Sequence, residues 1–191
     1  MPYYTLDLNL INCDLKRLAQ HPHFGWKDIS GYLTGKVALD GYGKDLEKIR
    51  GKGWLMVGEG ELWEAPLFMG LGDILYFPNL GRTKFKEGFA SFVIVDKSII
   101  TRDLILHGEG MDLLADGTFG FDGSLDFSVT AKLSEEAAQK SGVGKFGMAI
   151  MSGIWRYIVE LKLGGTIQKP KYTIVARLDK LLIEKMKELF R

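Results

Sequence analysis

Apolar and polar residues alternate along much of the chain, and this period of two predicts β-strands with one apolar face. The pattern is clearest at residues 124–133, where every second residue is apolar. A strand of this kind belongs to an antiparallel sheet with one solvated side. The same period predicts strands at 3–11, 30–40, 53–57, 62–64, 85–95, 99–107, 111–115, 118–121, 159–165 and 172–176.

Helical spacing replaces this alternation in a few segments. Residues 66–76, 134–141 and 145–157 are predicted to be helices, and Asp14 is predicted to cap a short helix over 15–20. A last helix is predicted at 179–190, and one of its faces is apolar. That face consists of Leu182, Ile183, Met186, Leu189 and Phe190. We expect this helix to cap the final sheet edge, and contact with a membrane or a partner protein is the alternative.

Glycine and aspartate mark the predicted turns. The chain has 24 glycines among 191 residues, and only 5 prolines. Turns are predicted at 58–61, 96–98 and 108–110, and the Asp-Gly pairs at 116–117 and 122–123 predict hairpins. The sequence therefore predicts a single α+β, β-rich domain over 1–191: a curved, mainly antiparallel sheet partly covered by a few helices.

Composition excludes several functional classes. The 25 basic and 24 acidic residues nearly cancel, so nothing in the net charge of +1 favours nucleic acid. Cys13 is the single cysteine, which excludes an intramolecular disulfide and a cysteine-based zinc site. The longest uncharged apolar stretch, 146–155, is too short to span a bilayer. We therefore expect a soluble module.

No motif predicts catalysis, a cofactor or a metal. GVGKFG at 142–147 matches the dinucleotide-binding spacing but follows a polar helical segment rather than a strand. HGEGMDLL at 107–114 is interpreted as a tight turn, and the three histidines lack ligand spacing. No nucleophile, acid or base stands in a recognisable signature. The sequence predicts a protein that is not an enzyme.

The order of these segments resembles the C-terminal region of the AsmA family of bacterial envelope proteins. The similar segments are GKGWLMVGEGELWEAPLFMGLGDIL at 51–75, FASFVIVDKSII at 89–100, and LILHGEGMDLLADGTFGFDGSLDFSVTAKL at 104–133. KFGMAIMSGIW and LKLGGTIQKPKYTI follow, and ISGYLTGKVALDGYG precedes them at 29–43. The resemblance covers residues 29–176. At 96–98 the chain has Asp-Lys-Ser where the family usually has Asp-Gly or Asn-Gly.

The resemblance implies a function. AsmA-like proteins are anchored in the inner membrane and extend through the periplasm, and their sheet forms a half-pipe groove for phospholipids moving toward the outer membrane. The related TamB branch is linked to outer-membrane protein assembly. The resemblance therefore implies a lipid-binding module of a cell-envelope protein, without a cofactor. A protein-docking module with a closed core and no lipid contact is the alternative.

The predicted lipid-binding residues are the alternating apolar residues of two strands. An acyl chain lying on them would gain roughly 0.8 kcal/mol per buried CH₂. The period alone favours a closed core in which helices cover the same face, and it is the family resemblance that favours an accessible groove. The residues are Leu104, Leu106, Leu125, Phe127, Val129, Ala131 and Leu133.

Overall fold

The computed structural model describes residues 2–20, 29–43, 46–62, 85–134 and 157–175. Within them, nine antiparallel strands form one open, curved sheet whose strand order follows the chain. The strands are β1 (Tyr3–Asp14), β2 (Ile29–Tyr42), β3 (Arg50–Leu62), β4 (Phe85–Val95), β5 (Ser98–Gly108), β6 (Met111–Gly120), β7 (Leu125–Leu133), β8 (Tyr157–Thr166) and β9 (Lys169–Ile174). A short helix, α1 (Leu15–Ala19), follows β1, and a 3-10 turn (Leu46–Lys48) precedes β3.

Helix α1 confirms the predicted cap. The Asp14 carboxylate accepts hydrogen bonds from the backbone N–H of Lys16 at 2.9 Å and of Arg17 at 3.4 Å. These are two of the N–H groups that a helix start leaves without an intrahelical partner. The cap allows the chain to pass directly from β1 into a helix that lies beside β2.

Three of the predicted turns are confirmed, at 96–98, 108–110 and 122–123. In the first, Asp96 and Lys97 both have positive φ (48° and 58°), so this two-residue turn forms without glycine. In the third, Asp122 accepts hydrogen bonds from the N–H and the hydroxyl of Ser124, at 2.9 and 2.6 Å. The hydrogen bond from the Ser124 hydroxyl is the main cause of the lowered pKa of Asp122.

Two other predicted turns are wrong, because the strands continue through them. The Asp-Gly pair at 116–117 lies inside β6, where Asp116 pairs with Ser128 and Gly117 with Phe127. The segment 58–61 lies inside β3, where it forms a bulge: Gly58 pairs with Tyr32 and Glu61 with Ser30. In both places, pairing with neighbouring strands outweighs the local turn preference.

The predicted helices at 66–76 and 179–190 lie outside the described residues. So do those at 134–141 and 145–157, apart from one terminal residue each. The predicted helix at 145–157 is wrong at its last residue, because Tyr157 is the first residue of β8.

The buried apolar side chains all lie on one face of the sheet. Pairing across the strands places them there, from β4 to β8. They are Phe85, Ile94, Met111, Leu113, Leu125, Val129, Ala131, Leu161 and Leu163. We call this side of the sheet the apolar face and the other side the opposite face.

Candidate functional site

The apolar face is continuous across all nine strands. Directly paired residues of an antiparallel sheet point to the same side, so the pairing traces rows across the face. One row crosses the whole sheet. Before its last residue, Tyr172, the only hydroxyl in this row is that of Thr101. The row runs Leu8, Val37, Gly53, Phe92, Thr101, Gly117, Phe127, Leu163 and Tyr172.

The structure brings the predicted lipid-binding residues together on this face. Leu104, Ala115 and Val129 form one row, and Leu106, Leu113 and Ala131 form the next. The remaining three belong to β7. Leu125 pairs with Phe119, Phe127 with Gly117, and Leu133 with Met111.

A bulge in β5 determines that Leu104 and Leu106 belong to this face. Three residue steps separate Thr101 from Leu104, whereas two separate their partners, Gly117 and Ala115. The extra residue in β5 shifts the alternation by one position. Without it, Leu104 and Leu106 would point to the opposite face.

Asp103 stabilises this bulge. Its carboxylate accepts hydrogen bonds from the backbone N–H of Ser91 at 2.8 Å and from the Ser91 hydroxyl at 2.6 Å. The Thr101 hydroxyl donates a third bond at 3.2 Å. The Ser91 side-chain bond is the main cause that lowers the pKa of Asp103. The carboxylate thus gives the Ser91 N–H an acceptor where the pairing of β4 with β5 is interrupted.

Exposure changes across the apolar face. Ala131, Val129 and Leu125 are buried, while Leu104, Leu106 and Phe127 are half-buried. At β1 the face is open, with Leu6 45% and Leu8 38% exposed. The face is also open at the other edge, where Ile174 of β9 pairs with Leu161 and is 51% exposed. Sequence reasoning identified β1 as an apolar-faced strand but did not include it among the binding residues.

Glycines lie beneath large side chains on the apolar face. A Cβ added to Gly53 would lie 2.8 Å from the ring of Phe92. One added to Gly88 would lie 2.7 Å from a terminal methyl of Leu106, and one added to Gly117 would lie 2.8 Å from the ring of Phe127. Glycine in a strand permits this close approach, and it also allows a sheet to bend. The side chains of the predicted site residues Leu106 and Phe127 thus extend over glycines of the neighbouring strands, Gly88 of β4 and Gly117 of β6.

Tyr172 is the polar exception at the end of the row traced above. Its hydroxyl is buried and has no hydrogen-bond partner among the residues that the structure describes. Burial raises its pKa, because the phenolate would be poorly solvated. The ring therefore functions as an apolar side chain at neutral pH.

The opposite face is polar at β7 but carries an apolar row from β3 to β6. On β7 it is polar, as predicted, with Ser128 accepting a hydrogen bond from Lys162 at 2.8 Å. From β3 to β6 an apolar row crosses it, which sequence reasoning missed. This opposite row consists of Met56, Phe89, Ile105 and Leu114, and Met56 is 47% exposed.

The polar groups show no catalytic or metal-binding arrangement within the described ranges. His107 and Asp112 are paired across the turn at 108–110, with 3.1 Å between Nδ1 and the carboxylate. No group of three His, Cys, Asp or Glu side chains there has the geometry to hold a metal. None of the helices described is both long and apolar enough to cross a membrane. Residues 142–147, His21 and His23, and the predicted cap-helix residues 182–190 lie outside those ranges.

Comparisons of the chain with protein-family models, with curated proteins and with solved structures found no match.

Proposed function

We propose that this chain is a non-enzymatic lipid-binding and lipid-transfer module of an AsmA-like cell-envelope protein. The observation that supports the proposal most is the apolar face that continues across nine strands and opens at β1. In this proposal the curved sheet is a half-pipe groove, and phospholipid acyl chains lie against the apolar face. The module uses no cofactor, because lipid transfer makes and breaks no covalent bond.

The dimensions of the sheet suit individual lipids. Nine strands at roughly 4.8 Å spacing span about 40 Å, enough for one or two phospholipids but too little to connect two membranes. A chain of sixteen carbons would gain on the order of 10 kcal/mol from burial, before the cost of ordering it. From the resemblance to the AsmA family, we propose that the module lies in the periplasm, in a parent protein anchored in the inner membrane.

A matched pair of variants on one strand tests the proposal. Leu106 and Ile105 are adjacent and both half-buried, but Leu106 belongs to the apolar face and Ile105 to the opposite row. We expect Leu106→Gln to lower the phospholipid bound per protein, measured by extraction after incubation with phosphatidylethanolamine and phosphatidylglycerol vesicles. Ile105→Gln should lower it far less. Equal lipid content in both variants and the wild type would refute lipid binding at this face.

A protein-docking role is the second candidate, and the opposite row favours it. Trp54, Met56 and Phe89 are all more than one-third exposed on that face. Exposed apolar patches of this kind occur at protein–protein interfaces. The partner would be an outer-membrane or other envelope protein, as in the TamB branch. In this case Ile105→Gln and Met56→Gln would weaken a protein complex, whereas Leu106→Gln would not.

A further inference from the structure

Strand β1 forms one edge of the sheet, and among the residues that the structure describes no strand pairs with its outer side. The Gly43 N–H donates to the Pro2 carbonyl at 2.9 Å, so Pro2 and Gly43 are a hydrogen-bonded pair. Hydrogen-bonded and non-hydrogen-bonded pairs alternate along an antiparallel ladder. Even-numbered residues of β1 therefore bond to β2, while odd-numbered ones direct their N–H and C=O groups away from the sheet. These outward residues are Tyr3, Thr5, Asp7 and Asn9.

The two edges of the sheet differ in the features that prevent edge-to-edge pairing. β9 is six residues long and contains Pro170, which has no N–H, between Lys169 and Lys171. Proline, lysine and short length are the usual protections of an edge strand. β1 pairs regularly with β2 from Tyr3 to Leu10, and Asp7 is the only charged residue in that stretch. Its apolar side chains there are largely exposed.

We infer that two copies of this chain pair through β1, antiparallel, with the twofold axis at Leu6. In this register Leu6 faces Leu6 of the other copy, and Tyr4 faces Leu8, all on the apolar face. On the opposite face Thr5 faces Asp7, so each carboxylate meets a hydroxyl donor. Every outward N–H and C=O group of the four odd-numbered residues then has a partner.

The neighbouring registers are less favourable. An axis at Asp7 would place the two Asp7 carboxylates directly opposite each other, and like charges in that position are destabilising. An axis at Leu8 would extend the pairing into the bulge between Leu10 and Cys13, where Asn12 has a φ of 48°. An axis at Thr5 would leave Asn9 without a partner among residues 3–9, and an axis at Tyr4 would leave both Asp7 and Asn9 without one. The like charges, the bulge and the number of paired outward groups together favour Leu6 as the centre.

The consequence is a single apolar face shared by two copies, because paired residues of adjacent strands point to the same side. The part of the face that is open at β1 then lies at the middle of the joined sheet rather than at its margin. This inference requires no lipid. Dimerisation and lipid binding are measured separately, so either can fail alone.

Cysteine cross-linking tests the register. In a Cys13→Ser background, we expect Leu6→Cys to form an intermolecular disulfide under mild oxidation, because directly opposed residues of a non-hydrogen-bonded pair have a suitable Cβ separation. Leu8→Cys is the matched control on the same strand face, and it should cross-link far more slowly. Faster cross-linking of Leu8→Cys, or equal rates, would overturn the register.

Sedimentation velocity tests the pairing itself. We expect the wild-type chain to dimerise reversibly and Thr5→Pro to raise the dimer dissociation constant by about ten-fold or more. Thr5→Pro removes an outward N–H that makes no bond to β2, so at protein concentrations low enough for both chains to be monomeric its melting temperature should stay close to that of the wild type. A wild-type chain that remains monomeric at concentrations of about 100 µM would overturn the inference.

Discussion

Removing the Asp103 carboxylate tests the role of the β5 bulge in building the apolar face. Asp103→Ala deletes the acceptor of the Ser91 N–H and of the Ser91 hydroxyl, at 2.8 and 2.6 Å. Hydrogen bonds to a charged group contribute about 1.5–3 kcal/mol, and the half-buried N–H would be left without this acceptor. We expect the free energy of unfolding to fall by about 2–3 kcal/mol.

Asp122→Ala is the matched control. Asp122 also accepts from the N–H and hydroxyl of one serine, but Ser124 is only two residues away in an exposed turn. Asp103 instead connects two strands at positions twelve residues apart. Urea denaturation followed by circular dichroism should show a clearly larger loss for Asp103→Ala than for Asp122→Ala. Equal losses would refute the assigned role of Asp103.

The Asp103 interaction also predicts a pH dependence. Because its hydrogen bonds lower the pKa of Asp103 in the folded state, its contribution is fully present above the ordinary value of 3.8 and is lost as pH falls below it. Asp103→Asn cannot lose a proton in this range. The difference in unfolding free energy between wild type and Asp103→Asn should therefore be largest near about pH 6 and shrink toward about pH 3. A difference that grows on acidification would contradict the argument.

Two further predictions concern the packing of the apolar face. Gly117→Ala should cost about 2–3 kcal/mol in urea denaturation, because the added Cβ would contact the Asp126 carbonyl and lie 2.6 Å from the Phe127 Cα. Gly58→Ala, where no described atom lies within 4 Å of the added Cβ, should be nearly neutral, and a comparable loss at both positions would contradict this packing. Tyr172→Phe removes a buried hydroxyl that has no hydrogen-bond partner in the described part of the chain, so we expect it to be neutral or to stabilise by up to about 1 kcal/mol. A lower melting temperature for Tyr172→Phe would show that the hydroxyl has a stabilising contact.

The period of two predicted most of the described sheet from sequence. It identified at least part of each strand, because one-sided burial imposes an alternation that is visible in the residues themselves. It failed at residues 58–61 and 116–117, where glycine next to an acidic residue suggested turns. Glycine next to an acidic residue is compatible with a turn, with a bulge as at 58–61, or with a continuous strand as at 116–117. Pairing with the neighbouring strands determines which of these forms.

The candidate site was only partly predictable, for a related reason. Alternation assigned the residues of β7 to one face, but it could not show that Leu104 and Leu106 of β5 lie on the same face, because that depends on how β5 and β7 each pair with β6. The β5 bulge reverses the side on which those two leucines lie, and a one-residue shift is not visible in a period count. The opposite row was missed because Met56, Phe89, Ile105 and Leu114 lie on different strands and form a row only through pairing.

The central proposal is that the apolar face binds phospholipid, and native mass spectrometry tests it most directly. The protein would be purified from a diderm bacterium without detergent, and bound lipid would be extracted in parallel. The proposal predicts near-stoichiometric co-purified phospholipid in the wild type and Ile105→Gln, and much less in Leu106→Gln. A wild-type mass without lipid, unchanged after incubation with phospholipid vesicles, would contradict it.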